Sequence, residues 1–310
     1  MMKIYKTVES DLIKLDHIEE KSWISLINPT LEELKNIEET LEVEMDFLKA
    51  PLDDEETSRI EIEDEQIFIL VDIPVIEEED GSIEYGTLPF GIILKDKYII
   101  TICLKDNIVL NDFRNQKIKN FFTFKRNRFV LQMLYRIDTK YLIYLKQIDR
   151  MSNQIERQLH QSMKNKELIQ LLDLEKSLVY FTTSLRGNQL VLEKLGKLKA
   201  MKLYPEDEDL LEDVIIENKQ AIEMANIYSS ILSGMMDAFA SVISNNLNIV
   251  MKYLTTITIV MSIPTIFASF YGMNVPLPLQ NSPYMFWGIF TMALAVALIA
   301  GKFLNSKKMF

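Results

Sequence analysis

The rhythm of apolar and polar positions changes three times along the chain. In the first hundred residues, short runs rich in β-branched side chains alternate with turns. RIEIEDEQIFILVDIP (59–74) and GIILKDKYIITICLK (91–105) read as strands, the second folded back at a tight Lys-Asp-Lys turn. PTLEELKNIEETLEV (29–43) reads as a helix opened by a capping box from Thr30 to Glu33. From about Lys125 the spacing becomes helical with few breakers. One helix is predicted from Arg126 to Met163 and a second from Lys166 to Met201, with Gly187 inside it. A third starts in YPEDEDLLEDVIIENKQ, its acids at the end where the helix dipole favours them.

The last change is the sharpest, because 49 residues between Lys252 and Lys302 carry no charged side chain. That is room for two membrane spans of about 20 residues each with a short turn. They are predicted at Tyr253 to Phe270 and Tyr284 to Gly301, separated by Gly272, Pro276, Pro278 and Pro283. YMFWGIFTMALAVALIAG offers water no polar face, which argues against a core hairpin of a soluble protein. Between Pro205 and Pro264 the only breaker is Gly234, so the third helix should run into the first span. At about 1.5 Å per residue, about 67 residues make a rod of about 100 Å that can couple a soluble domain to the membrane turn.

These patterns give an α+β cytoplasmic domain, a small α/β layer plus long helices, followed by two transmembrane helices. The expected divisions are 1–124 for the α/β domain, 125–204 for a long-helix hairpin and 205–272 for a stalk entering the membrane. An external loop at 273–283, a second span at 284–302 and a basic tail at 303–310 complete the chain.

Charge sharpens this division. Residues 252–310 hold four lysines and no acid, whereas the preceding 251 residues hold 30 basic and 45 acidic groups. An acidic body repels nucleic-acid phosphates and suits cations. Lysines flank the spans only at their outer ends, which puts both termini in the cytoplasm and the turn outside. The N-terminus MMKIYKTVESDL shows no long apolar run of the kind a cleaved signal carries. The lone Cys103 excludes an internal disulfide and reads as a core residue. With only His17, His160 and that cysteine, no His/Cys metal cluster can form. There is no phosphate-cradling glycine loop, nucleophile motif or HExxH, so nothing points to an enzyme.

Along the helix that enters the first span, Asn248, Met251, Thr255, Thr258, Ser262, Thr265 and Ser269 step by three and four, so all share one face. Six of these seven are polar. Such hydroxyls either glue packed membrane helices together or line water. Lining water requires several copies of this span around an axis, with the wholly apolar second span outside.

Tyr271-Gly272-Met273-Asn274 after one span, with a second span close behind it and a lysine-rich end, resembles the CorA family of magnesium transporters. The likeness extends back through SGMMDAFASVISNNLNIVMKYLTTITIV and more loosely through the soluble body. It implies a homopentameric funnel in the cell membrane, with Gly272, Met273 and Asn274 as the selectivity filter and Tyr271 supporting the loop. It also implies pore-facing positions at Asn248, Met251, Leu254, Ser262 and Thr265, with Leu254 a hydrophobic constriction. Three features differ from the family pattern: Ser262 replaces an apolar pore residue, Pro264 lies about one residue late, and the turn VPLPLQNSP lacks acids.

A ring of Asn274 carboxamide oxygens could accept hydrogen bonds from the water shell of Mg2+, which that ion surrenders reluctantly. The bland alternative for Asn274 is a helix C-cap in the left-handed region. Asp64, Glu65 and Asp213 resemble an intersubunit regulatory Mg2+ site, and Asp237 could add another. Co2+ and Ni2+ are plausible further cargo. The rivals are transport of Zn2+ or another transition metal, as in a related branch of the superfamily, and a membrane-anchored receptor or scaffold without transport.

Overall fold

The computed structural model describes residues 1–9, 11–79, 82–162, 165–198, 201, 204–275 and 282–306. It divides into two units, Met1–Met235 and Met236–Phe310.

The first unit is built on a mixed sheet of β1 (Met2–Val8), β2 (Asp11–Leu15), β3 (Trp23–Ile27), β4 (Arg59–Glu63), β5 (Gln66–Glu79), β6 (Ser82–Lys95) and β7 (Tyr98–Cys103). The strand order is β2-β1-β3-β7-β6-β5-β4, and only β3 and β7 run parallel. That pair is central and almost wholly apolar, as strands buried on both faces must be. The expected turn is a two-residue link at Asp96 and Lys97, with Lys95 opposite Tyr98 and Asp96 left-handed at φ 45°.

One face of the sheet carries α1 (Leu31–Leu41) and α2 (Met45–Lys49). The capping box is as the sequence implies: Thr30 Oγ1 accepts from Glu33 N at 3.2 Å, and Glu33 accepts from Thr30 N at 3.0 Å. Leu34, Ile37 and Leu41 then face Ile24, Leu26, Phe68, Leu70, Ile100 and Ile102. Trp23, on the alternate side of β3, donates through Nε1 to Thr101 Oγ1 at 2.9 Å. Its ring meets the edge of Phe129 at 5.3 Å, and Phe113 and Phe121 complete the cluster. Cys103 is buried as expected, and burial pushes its thiol up to about 12.

Three helices follow α3 (Ile108–Arg114): α4 (Arg126–Ser162), α5 (Asn165–Leu195) and α6 (Pro205–Tyr271). Helix α5 stops short of the predicted Met201. Gly196, poor in helix interiors, is followed by tight turn bonds from Lys197 N to Lys194 O and from Leu198 N to Leu195 O. Helix α6 runs without a break through Pro264.

Buried polar ties hold these helices in the first unit. Asn188 of α5 clamps the Asp72 backbone, accepting from its N and donating to its O, each at 2.8 Å. Asp112 of α3 is 2% exposed and takes Arg136, Lys140 and Lys117. Burial pushes the Asp112 carboxyl up, but hydrogen bonds from those three cations outweigh it and hold it below its usual range. Asp138 of α4 accepts from Asn218 Nδ2 of α6 at 3.0 Å.

The second unit holds the rest of α6 and α7 (Met285–Ser306). Ala293 and Ala297 are each 5% exposed, and a Cβ on Gly301 would lie 3.6 Å from Val260 Cγ2. These three small residues, four apart, form the close-packing seam of α7.

Candidate permeation pathway

Pro205–Tyr271 and Met285–Leu304 are both long and apolar enough to cross a membrane. On the part of α6 from 253 to 271, the positions half covered by neighbours are Thr256, Val260, Ile263, Phe267 and Tyr271, a row at helical spacing. Asn248, Met251, Leu254, Thr255, Thr258, Ser262, Thr265 and Ser269 are all exposed and lie off that row. The polar stripe therefore occupies a face that this chain does not cover.

Four of its five hydroxyls, all but that of Ser269, share one arrangement. Thr255 Oγ1 donates to Met251 O at 2.8 Å, Thr258 Oγ1 to Leu254 O at 2.8 Å, and Thr265 Oγ1 to Met261 O at 3.3 Å. Ser262 likewise donates to Thr258 O. With the proton directed back into the helix, each hydroxyl oxygen keeps lone pairs for an outside donor. A hollow of about 290 Å³ lined by Thr265, Ile266, Ser269 and Phe270 lies at the outer end of the stripe.

Helix α6 ends where the triplet begins. Gly272 N donates to Ala268 O at 2.9 Å and Met273 N to Phe270 O at 3.4 Å. A Cβ on Gly272 would lie 3.3 Å from Ala268 O, and its φ lies outside the left-handed range. The glycine therefore serves close approach to the last helical turn. Asn274 has no positive φ, which removes the left-handed cap as its explanation. It is exposed, and its carboxamide makes no hydrogen bond among the described residues. Pro276, Pro278 and most of VPLPLQNSP lie outside the described residues, as do Lys307 and Lys308.

The candidate sensor acids are dispersed. Asp64 and Glu65 form the two-residue turn between β4 and β5, with φ 43° and 62°. Such turns favour Asn-Gly or Asp-Gly, so Asp64 suits its place, whereas Glu65 stands where glycine is preferred and its left-handed backbone costs about 1–2 kcal/mol. Asp213 and Asp237 are exposed on α6. Among the described residues no three His, Cys, Asp or Glu side chains converge to hold a metal. The four acids thus form no closed site within one chain.

Sequence reading missed the buried polar ties and the small-residue seam, although both leave traces. Asn218 falls in the buried row Leu211, Val214, Ala221, Ala225, where an amide is out of place. ALAVALIAG spaces its small residues by four.

A sheet-based soluble unit followed by an apolar two-helix unit defines a two-span membrane protein. A family model described as a CorA-like Mg2+ transporter protein matches residues 19–307, and the chain belongs to that family. It is 29% identical over 293 residues to the cobalt/magnesium transport protein CorA of Methanocaldococcus jannaschii, an alignment covering 89% of this chain and 87% of that one. The complete structure of the CorA magnesium transporter from M. jannaschii matches with a TM-score of 0.85 at 24% identity, over 100% of this chain and 99% of that one. The cytoplasmic domain of ZntB from Vibrio parahaemolyticus shares the fold more distantly, with a TM-score of 0.60 at 12% identity over 79% and 96% of the two chains. The protein is thus a membrane protein of a divalent-cation transporter family.

Proposed function

We propose that the chain is a channel-like transporter of hydrated Mg2+, with Co2+ and Ni2+ as further cargo, assembled as a homopentamer in the cell membrane with both termini cytoplasmic. The observation that carries this reading is the exposed Asn274 carboxamide, free of hydrogen bonds among the described residues, at the end of a helix whose hydroxyl stripe is also uncovered. Copies of α6 around an axis would bring the stripes together. Acceptor oxygens would then line the route, with Leu254 as the apolar constriction where dewetting closes it.

Mg2+ keeps its waters, so the filter needs acceptors at hydrated radius rather than a full set of ligands. Asn274 supplies neutral acceptors that hold the shell without trapping the ion, and Tyr271 supports the loop. Entry needs no chemical step, since a doubly charged ion gains about 4.6 kcal/mol per ~100 mV of inside-negative potential.

Asp64, Glu65, Asp213 and Asp237 are the sensor in this reading. Mg2+ commonly binds one or two carboxylates and keeps several waters, so acids from neighbouring copies suffice. Ions bridging subunits at high internal Mg2+ would favour the closed state by their differential affinity for it. A glutamate at the turn position that prefers glycine supports a role beyond folding for Glu65.

Mg2+ flux into proteoliposomes, wild type against Asn274→Ala, tests the filter. Most of the flux should disappear, and equal flux would defeat the assignment. Zn2+ in place of Mg2+ separates the transition-metal alternative, and absence of flux for every ion would favour the receptor. Neutralising the four acids should relieve inhibition by internal Mg2+, and unchanged inhibition removes them as the sensor.

A further inference from the structure

The Asp138–Asn218 contact joins α4 to α6 inside the Met1–Met235 unit and has a feature that packing does not explain. Asp138 is 2% exposed and Asn218 is fully buried. One bond is made, from Asn218 Nδ2 to Asp138 Oδ1 at 3.0 Å, while Asn218 Oδ1 is buried without a partner among the described residues. An ionised carboxylate has only acceptors and can do nothing for that oxygen. A carboxylic acid has one O–H to give.

Among the described residues the surroundings offer no competing donor or counter-charge. The charge reaching Asp138 from α6 is Glu217, of like sign. On its own helix, Tyr141 donates to Asp72 O at 3.2 Å, and Lys140 is held by Asp112 at 3.2 Å. Asp138 has no ion-pair partner among the described residues, so its ionised form would be a bare buried charge. Burial first, then Glu217, pushes its carboxyl up to about 8 against the Asn218 bond.

We propose that Asp138 and Asn218 are a proton-binding pair that clamps α4 to α6, closed while Asp138 is neutral and loosened when it ionises. In the closed form the carboxyl accepts from Asn218 Nδ2 and donates its proton toward Asn218 Oδ1. Loss of that proton to water removes the second bond and leaves a charge facing Glu217.

An acid whose folded value is raised keeps its proton in the folded chain after the unfolded chain has lost it. Stability therefore falls as pH rises from the ordinary Asp value, 3.8, to about 8, and levels off above that. The full-length protein in detergent tests this by thermal melting across that range, wild type against Asp138→Asn, which keeps the shape and stays neutral. Wild type should lose about 4 °C or more relative to the variant as pH rises through the window. Parallel profiles would overturn the proposal. Amide exchange of wild type, corrected for its intrinsic pH dependence, needs no variant: protection around Asp138 and Asn218 should fall as pH rises through the same window and level off at about pH 8, and constant protection across that window would overturn the clamp. Both are equilibrium readouts without an ion gradient, so they stand or fall separately from the transport reading.

Discussion

Leu178 and Leu298 both sit on long helices, yet Leu178 is fully buried and Leu298 is 67% exposed. The contrast holds for the two units they belong to. Met1–Met235 covers its apolar side chains with its own elements. Met236–Phe310 contributes only Phe239, Ala293 and Ala297 to the buried apolar set among the described residues. Burial from water drives the first unit. In lipid that force is absent between helices, so the second unit relies on close approach of small residues and on backbone bonds satisfied within each helix. Polar groups follow the same division: Asp72, Asp112 and Asp138 find partners on other elements, whereas the hydroxyls of Thr255, Thr258, Ser262 and Thr265 return to their own helix.

The largest expected break in this contrast is Arg136→Ala, which strips a principal partner from the buried Asp112 carboxylate. A loss of about 3–5 kcal/mol is expected by chemical or thermal unfolding near neutral pH. Because Asp112 is held below its usual range, the wild-type advantage should be full above that range and fade as pH falls beneath it. Next, Leu178→Ala should cost about 2–5 kcal/mol, whereas Leu298→Ala should stay within about 0.5 kcal/mol in lipid. Equal losses would mean that α7 is buried against another copy.

A smaller pair concerns glycines. A Cβ on Gly91 would fall 2.2 Å from Pro51 Cγ, so Gly91→Ala should cost about 1–3 kcal/mol. Gly288 on α7 meets nothing within 4 Å, so Gly288→Ala should be neutral or stabilising by up to about 1 kcal/mol. The smallest stability effect belongs to Thr258→Val, expected within about 0.5 kcal/mol. Its flux should nevertheless fall if the stripe lines water, and unchanged flux would assign the stripe to packing.

Much of the membrane unit was legible because its signals are local. A run without charge, a break of glycine and prolines, and the triplet at 272–274 depend only on neighbours in sequence. The same holds for the Thr30–Glu33 box and the Asp96–Lys97 turn. The end of α5 was misplaced by six residues, since Gly187 is accommodated inside the helix beside Ser58 while Gly196 lies where it stops. Nothing in the local pattern distinguishes those two glycines.

The chain's amino-acid order determined where it can leave water and where its helices begin, because hydropathy, capping and helix breaking act over a few residues. Tertiary structure alone decided that β3 pairs in parallel with β7, that Asn188 clamps Asp72 from 116 positions away, and that Asp138 meets Asn218 from 80 away. Those choices follow from which faces the sheet and long helices bury together, a property of the packed whole that no window of sequence contains.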